Sequence, residues 1–343
     1  TSKESYLMTT QKTSRFKKYV LPYLFLLTIL VCLFFYSLTL GAVKSSFNQI
    51  ASCFSQNQSA TICHIIAVTR LPRTIAAVMS GSSFALAGAI LYYITRNPLA
   101  CPSLLGINQG AILGILLCLI TIPFISLPGI IAAAIIGGII SGIIVYSIVS
   151  LIGVSNLKLV LVGQAINIFL YALGQTLIVL FPDKTGGMLV TLNGSLAGTS
   201  WEKIEIITPF IVVITLLSIL LAKKIYLLSL GKEIALSIGI NANQLLIIIF
   251  CLIVGLCSLA VTMVGQLLFF PLIAVHLSKP LLRGRNPYDF CVITCLVGAI
   301  LMLASDCLMR YIYTMQEIPL GIFMAIIGAP VLILSSRLKR AES

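Results

Sequence analysis

Charge is what this sequence has least of. Only 9% of its 343 residues are charged, against 59% hydrophobic, where a soluble chain carries roughly 25% charged residues. Nine acids leave no cluster of Asp and Glu inside an apolar run, so a carboxylate relay for protons or sodium is not provided for. Asp306 is the lone acid inside such a run. Two histidines, His64 and His276, are too few and too far apart to hold a metal. The ten cysteines contain no C-x-x-C pair, and Cys32, Cys118, Cys251, Cys257, Cys291, Cys295 and Cys307 sit in apolar runs as small hydrophobes. Cys53 and Cys63 share a polar loop and form a candidate disulfide. No G-x-x-x-x-G-K-[ST] phosphate loop, H-E-x-x-H or G-x-S-x-G is present. The chain therefore binds no ATP in a recognisable way, and a membrane-embedded enzyme fails for want of paired catalytic residues.

What is there is apolar sequence in long runs. With a mean hydropathy of +1.12, most of the chain has lipid as its solvent. After the polar, basic residues 1–19, the first run, 20–40, has the roughly 20 residues a spanning helix needs. It is too long for the core of a cleaved signal peptide. Further spans fall near 65–92, 101–122, 128–152, 158–181, 204–222, 244–266, 267–282, 289–311 and 318–335. The fold class is thus all-α and polytopic, one transmembrane domain over 1–343 with about ten helices. Its net charge of +13 reads as loop charge rather than as a nucleic-acid face. Ten spans place Lys3, Lys12, Arg15, Lys17, Lys18, Arg96, Lys158, Lys223, Lys224, Lys232, Lys279, Arg283, Arg285, Arg337, Lys339 and Arg340 on the cytoplasmic side. Only Lys44, Arg70, Arg73, Lys184, Lys203 and Arg310 remain outside. That bias satisfies the positive-inside rule and puts both termini, including the tail 336–343, in the cytoplasm.

The most polar-punctuated stretch deep in the chain is Leu227–Ile240, LLSLGKEIALSIGI, in which Gly231 and Gly239 break two short pieces. Both pieces are too short to span, and two short amphipathic helices at the cytoplasmic face are expected. Arg70-Leu-Pro-Arg73 lies at the outer end of the second span and goes against the charge bias. It reads either as headgroup anchoring or, with Arg310, as a docking patch for an acidic partner. Asp306 stands at i, i+4 to Arg310 and can hold it. Asn97-Pro98, Pro102 and Gly106 interrupt the sequence after that span. Broken backbone at membrane depth needs protein or a water-filled cavity around it. A tight turn and an inner constriction fit that segment equally. Small residues (Gly163, Ala165, Gly321, Ala325 and Gly328) allow close helix packing or line a path.

Six stretches in order, RLPRTIAAVMSGSSFALAGAI, RNPLACPSLLGINQGA, LNGSLAGTSW, LSLGKEIALSIGI, SDCLMR and EIPLGIFMAIIGAP, resemble the permeases of iron–siderophore, haem and cobalamin ABC importers, the FecCD type. The resemblance runs from roughly residue 65 to 335. It implies ten helices per subunit and a pathway enclosed between two permease subunits, identical or closely related. It also implies a cytoplasmic ATPase dimer that carries ATP and Mg²⁺, and an extracytoplasmic substrate-binding protein; no cofactor is expected in this chain. By position, Leu230, Gly231, Lys232, Glu233, Ala235, Leu236 and Gly239 match the coupling helices that meet the ATPase. Arg70, Arg73 and Arg310 match the arginines that meet acidic residues of the binding protein. Asn97, Pro98 and Leu99 match a cytoplasmic constriction, and Gly163, Gln164, Ala165 and Ile166 fall where the family lines its pathway. The implied function is an import permease for a ferric siderophore in a bacterial plasma membrane, with haem or cobalamin as the alternative cargo. A secondary transporter or channel is the rival class and lacks a coupling-ion site. The sequence departs from the usual FVGLxxPHxxR at Pro271, Val275 and Lys279, and has Tyr92 where a Gln is common.

Overall fold

The computed structural model describes residues 20–41, 45–54, 60–97, 100–152, 156–185, 194–282 and 286–312, with positions 319–321, 323, 324, 326 and 330 beyond them. All regular structure among the described residues is helical. The chain runs through α1 (Leu21–Thr39), two short helices α2 (Phe47–Phe54) and α3 (Ala60–Ile65), then α4 (Leu71–Thr95), α5 (Ile107–Thr121), α6 (Leu127–Ile152) and α7 (Asn156–Leu180). It continues through the single turn α8 (Pro182–Thr185), α9 (Trp201–Leu230), α10 (Lys232–Ser237), α11 (Ala242–Val264), α12 (Phe270–Ser278) and α13 (Pro287–Ile312).

Seven helical tracts among the described residues are long and apolar enough to cross a membrane, and Ile107–Thr121 and Phe270–Leu282 are shorter apolar helices. Nine of the ten expected spans thus have a helical counterpart. The tenth, 318–335, lies largely outside the described residues, as do the tails. Three expectations need correction. The span expected at 204–222 is a 30-residue helix running on to Leu230, because no Gly or Pro occurs between Pro209 and Gly231. The first half of Leu227–Ile240 is therefore the last turn of α9, and only Lys232–Ser237 stands as a separate short helix. The segment 267–282 holds a nine-residue helix and a 3₁₀ turn, Lys279–Leu282. At 1.5 Å per residue and 2.0 Å in 3₁₀ geometry that is about 20 Å, short of a hydrocarbon core of about 30 Å.

Burial separates centre from rim. The membrane-length windows of Thr61–Thr95, Ala242–Val264 and Pro287–Ile312 are 78%, 72% and 61% buried, against 17% for Leu21–Thr39 and 22% for Trp201–Leu230. The central helices meet through glycine. A Cβ on Gly81 of α4 would stand 2.6 Å from the carbonyl oxygen of Gly298 on α13, and one on Gly298 would stand 2.3 Å from Ala85 Cβ. The α5–α6 contact is closer still, with a Cβ on Gly137 falling 2.1 Å from Gly110 O. Lipid gives helices no hydrophobic reason to associate, so close backbone approach and dispersion have to do it.

Side-chain bonds fix the directions. Tyr23 of α1 donates to Asp289 at the start of α13, and Arg310 at its end reaches back to Ser37 and Leu40 at the end of α1. These two helices therefore run parallel. Helix α4 runs against α13, because Arg73 at its start bonds Asp306 and Tyr93 at its end packs on Phe290. Trp201 Nε1 donates to Ala67 O over 2.8 Å, which sets the start of α9 at the arginine end of α4. The molecule thus has an arginine end and, a helix length away, an aromatic end that leads into α10.

Between the ends, the backbone leaves helical geometry in several places that meet one another. Gly265 (φ 77°) and Phe269 (φ 60°) flank the extended piece between α11 and α12, and Gly106 (φ 74°) opens α5. Ser195 N donates to Val264 O at 2.9 Å, Leu320 N to Gly194 O at 2.7 Å, and Ser103 Oγ to Leu267 O at 3.1 Å. Asn108 Nδ2 donates to Ser103 Oγ, Ser141 Oγ to Gly106 O, and Gln109 Nε2 to Gln266 Oε1. Groups that lipid could not satisfy are thereby satisfied within protein. On the arginine side, Cys53 and Cys63 are joined in a disulfide that ties α2 to α3, as the shared polar loop anticipated.

Candidate functional site

At the arginine end, the tract that begins at α3 reaches α4 through a π-helical turn, Ile66–Arg70, just before Pro72. Pro72 has no N–H to continue an α-helical ladder, and the extra residue of the π turn falls where that donor is missing. Thr74 Oγ1 donates to the buried Arg70 carbonyl at 2.8 Å and touches Ser37 Oγ at 2.9 Å. Arg70 is buried, at 5% exposure, and its Nη1 donates to Leu38 O at 2.7 Å and Ser45 Oγ at 2.9 Å. Gly41 lies against it; a Cβ there would be 3.0 Å from Arg70 Nη2.

Arg73 and Arg310 converge on one carboxylate. Asp306, wholly buried, accepts from Arg73 Nε at 3.0 Å and lies 2.9 Å from its Nη2, while Arg310 Nη2 stands 2.7 Å from the other carboxylate oxygen. The cluster of three guanidinium groups and one carboxylate carries a surplus of two positive charges. The sequence spacing anticipates the Asp306–Arg310 pair. It does not anticipate that the same acid holds Arg73 from across the molecule, nor that Arg70 faces inward. The side chains of Arg73 and Arg310 keep 22% and 10% of their surface exposed, so Arg73 has the most accessible guanidinium of these two.

Just beyond the aromatic end of α4, Asn97 is half-buried after the left-handed Arg96 (φ 49°); Pro98 and Leu99 lie outside the described residues. Gly163 is buried and packs against the Pro102–Leu105 turn: a Cβ there would be 2.5 Å from Leu104 O. Its role is contact between α7 and that turn. Gln164 and Ile166 are half-buried and Ala165 is exposed. Buried amide oxygens of Gln164, Asn167 and Asn108 find no hydrogen-bond partner among the described residues. Asn108, Gln109, Asn167 and Gln266 were not singled out as site residues from the sequence. An amide in the middle of an apolar run was the signal that could have found them.

At the other end, α10 hangs between two glycines that hold backbone angles unfavourable for other residues, Gly231 (φ 142°) and Gly239 (φ 78°), both with open space where a Cβ would be. Ala235 is the anchor, fully buried, and Ile240 N returns to its carbonyl at 2.9 Å. Lys232 and Glu233 are exposed, as are Leu230 at 39%, Ile234 at 45%, Leu236 at 61% and Ile238 at 54%. A six-residue helix that displays a cation, an anion and two aliphatic side chains, flanked by the exposed Leu230 and Ile238, has the form of a docking knob.

Comparison with known proteins agrees with this architecture. The FecCD transport family matches residues 29–337. The chain is 33% identical over 318 residues to the Fe(3+)-citrate import system permease protein YfmE of Bacillus subtilis, covering 93% of this chain and 95% of that one. It is 31% identical over 315 residues to a heme-iron transport system permease protein, IsdF, of Staphylococcus aureus, with 91% and 94% covered. Among solved structures, one described as an inward-facing metal-chelate type ABC transporter superposes with a TM-score of 0.77 at 29% identity, covering 91% of this chain and 97% of that one. Glycine-packed apolar helices, broken backbone sealed within protein and a sequence match across nearly the whole length lead to one conclusion: this chain is a membrane-embedded permease belonging to the FecCD transport family.

Proposed function

We propose that this permease is the membrane path for a ferric siderophore in an ATP-driven importer of the bacterial plasma membrane, with both termini cytoplasmic. It works beside a second permease subunit, a separate cytoplasmic ATPase dimer carrying ATP and Mg²⁺, and an extracytoplasmic binding protein. The observation that carries the reading is α10. Its exposed Lys232, Glu233, Leu236 and Ile238 are presented on glycine joints and seated by Ala235 alone. Such a knob is what a partner's cleft can grip and move. Closure of the ATPase on ATP then moves α10 and α9, and the end of the pathway that is open changes.

On the outer face the arginine end receives the acidic lobes of the binding protein. Arg73 supplies the accessible guanidinium, Asp306 and Ser37 hold Arg73 and Arg310 in place, and Arg70 braces α1 and the Ser45 loop from inside. Asn97, Pro98 and Leu99 form the inner constriction, and α7 around Gln164–Ile166 faces the pathway. Iron chelates are favoured as cargo because the relatives named above are permeases of iron-citrate and heme-iron systems.

Co-purification tests the reading. The native chain should bring down its ATPase, and the Glu233→Arg, Leu236→Asp double variant should lose that capture while still eluting as a folded membrane protein. A native chain that purifies alone and moves iron chelate into vesicles without ATP returns the protein to the class of carriers and channels.

A further inference from the structure

The coupling segment and the constriction are distant in sequence but are joined by a cluster of rings. Tyr226 lies in the last turns of α9, five residues before Gly231, and Tyr93 lies in the last turn of α4, four residues before Asn97. Their rings meet edge to face, with centroids 5.7 Å apart and planes at 75°. Tyr93 is also seated edge to face on Phe290 of α13 at 4.6 Å, and Tyr92 closes the group at 5.8 Å from Phe290. Lys279, at the end of α12, places its Nζ 4.1 Å from the centre of the Tyr92 ring. The cytoplasmic ends of α4, α9, α12 and α13 are therefore fastened at one aromatic point. From it the chain runs on to α10 after Tyr226 and to the Asn97 turn after Tyr93.

Two of these residues, Tyr92 and Lys279, are positions where the sequence departs from its family's usual pattern, and the structure shows them to be partners. A Gln at 92 would leave Lys279 no ring to stand on, so the two departures belong together as a cation–π pair.

We infer that Tyr93, clamped between Tyr226 and Phe290, is the positioning residue that carries displacement of α10 into the Asn97 turn. This rests on the reading of α10 as the ATPase contact. Edge-to-face pairs have a preferred geometry and gain energy beyond the area they bury. A shift of α9 then moves the end of α4 as a unit instead of being absorbed by side-chain rotation. The left-handed Arg96 that follows is a joint already bent, so rotation there swings Asn97 without unwinding α4.

The experiment uses the assembled permease–ATPase complex and needs no knowledge of the cargo. A cysteine is introduced by Asn97→Cys, and its alkylation by a maleimide is followed by peptide mass spectrometry with and without ATP plus vanadate. In the parent, the alkylation rate should change by about fivefold or more, the lower range of coupling between sites. Adding Tyr93→Leu should abolish that nucleotide dependence while ATPase capture and hydrolysis persist, and Tyr93→Phe should restore it. Tyr226→Leu, at a 38% exposed position, should act like Tyr93→Leu and carries the test if Tyr93→Leu yields no folded complex. Nucleotide-dependent alkylation that survives both leucine variants overturns the inference. Failure of the native chain to capture an ATPase overturns instead the α10 assignment beneath it, and the two failures are read in different assays.

Discussion

Asp306 shows how much one side chain can hold. It faces two guanidinium groups from opposite ends of the chain and has no exposed surface. Removing one partner of a buried ion pair leaves a charge that lipid and protein both reject, at about 3–5 kcal/mol. Asp306→Ala should therefore lower the thermal midpoint of the purified permease markedly, measured by melting in detergent. Arg73→Gln should cost much less, because 22% of its side chain is exposed and solvent screens the pair. That variant instead should weaken capture by the binding protein, while Arg70→Gln should cost fold stability through the lost bonds to Leu38 and Ser45. Local spacing revealed Asp306–Arg310 because i, i+4 neighbours are set by helix geometry alone. Arg73–Asp306 was hidden, since a contact across 233 positions is set by packing that no local pattern encodes.

Among the elements, α4 and α13 are bound by the mutual approach of Gly81 and Gly298. Gly298→Val places carbon where Ala85 Cβ and Gly81 O already stand, 2.3 and 2.5 Å from the new Cβ. It should abolish the monodisperse peak in size exclusion, whereas Gly174→Ala, where a Cβ meets only Leu116 Cδ1 at 3.5 Å, should leave it intact. Helix ends were legible where a breaker marks them. Gly231 and Gly239 delimit α10 in sequence and in structure alike. The end of α9 was misplaced because Lys223 and Lys224 look like a membrane boundary, yet Ala222, Ile225 and Leu228 continue its buried stripe and the helix continues with them. Helix α12 was misjudged because its hydropathy is that of a span, while its shortness comes from Gly265 and Phe269 at its start and the 3₁₀ turn at Lys279.

At the scale of the whole molecule, the long helices set the arginine end and α10 apart by a membrane's thickness. Ser46→Cys should react with an impermeant maleimide added outside intact cells, and Glu233→Cys only after permeabilisation; the reverse pattern would invert the orientation proposed above. The family and helix class were readable because hydropathy and six ordered motifs survive in one dimension. The pairing of Gln109 with Gln266 was not, since 157 positions separate them and Gln266 lies in the extended piece between α11 and α12.

The π turn at Ile66–Arg70 has a rotational consequence. Each residue of an α-helix turns the chain by about 100°, and this tract contains one residue more than α-helical winding needs before Pro72. Deleting Val68 would let an ordinary helix run through to Arg73 without disturbing its grip on Asp306. Because a π turn closes on one residue more than an α turn, the remaining residues would close an ordinary turn and everything upstream would keep nearly its angle, with Cys63 still facing Cys53. The surplus residue is thus taken up within a single turn, and its loss should leave the disulfide in place.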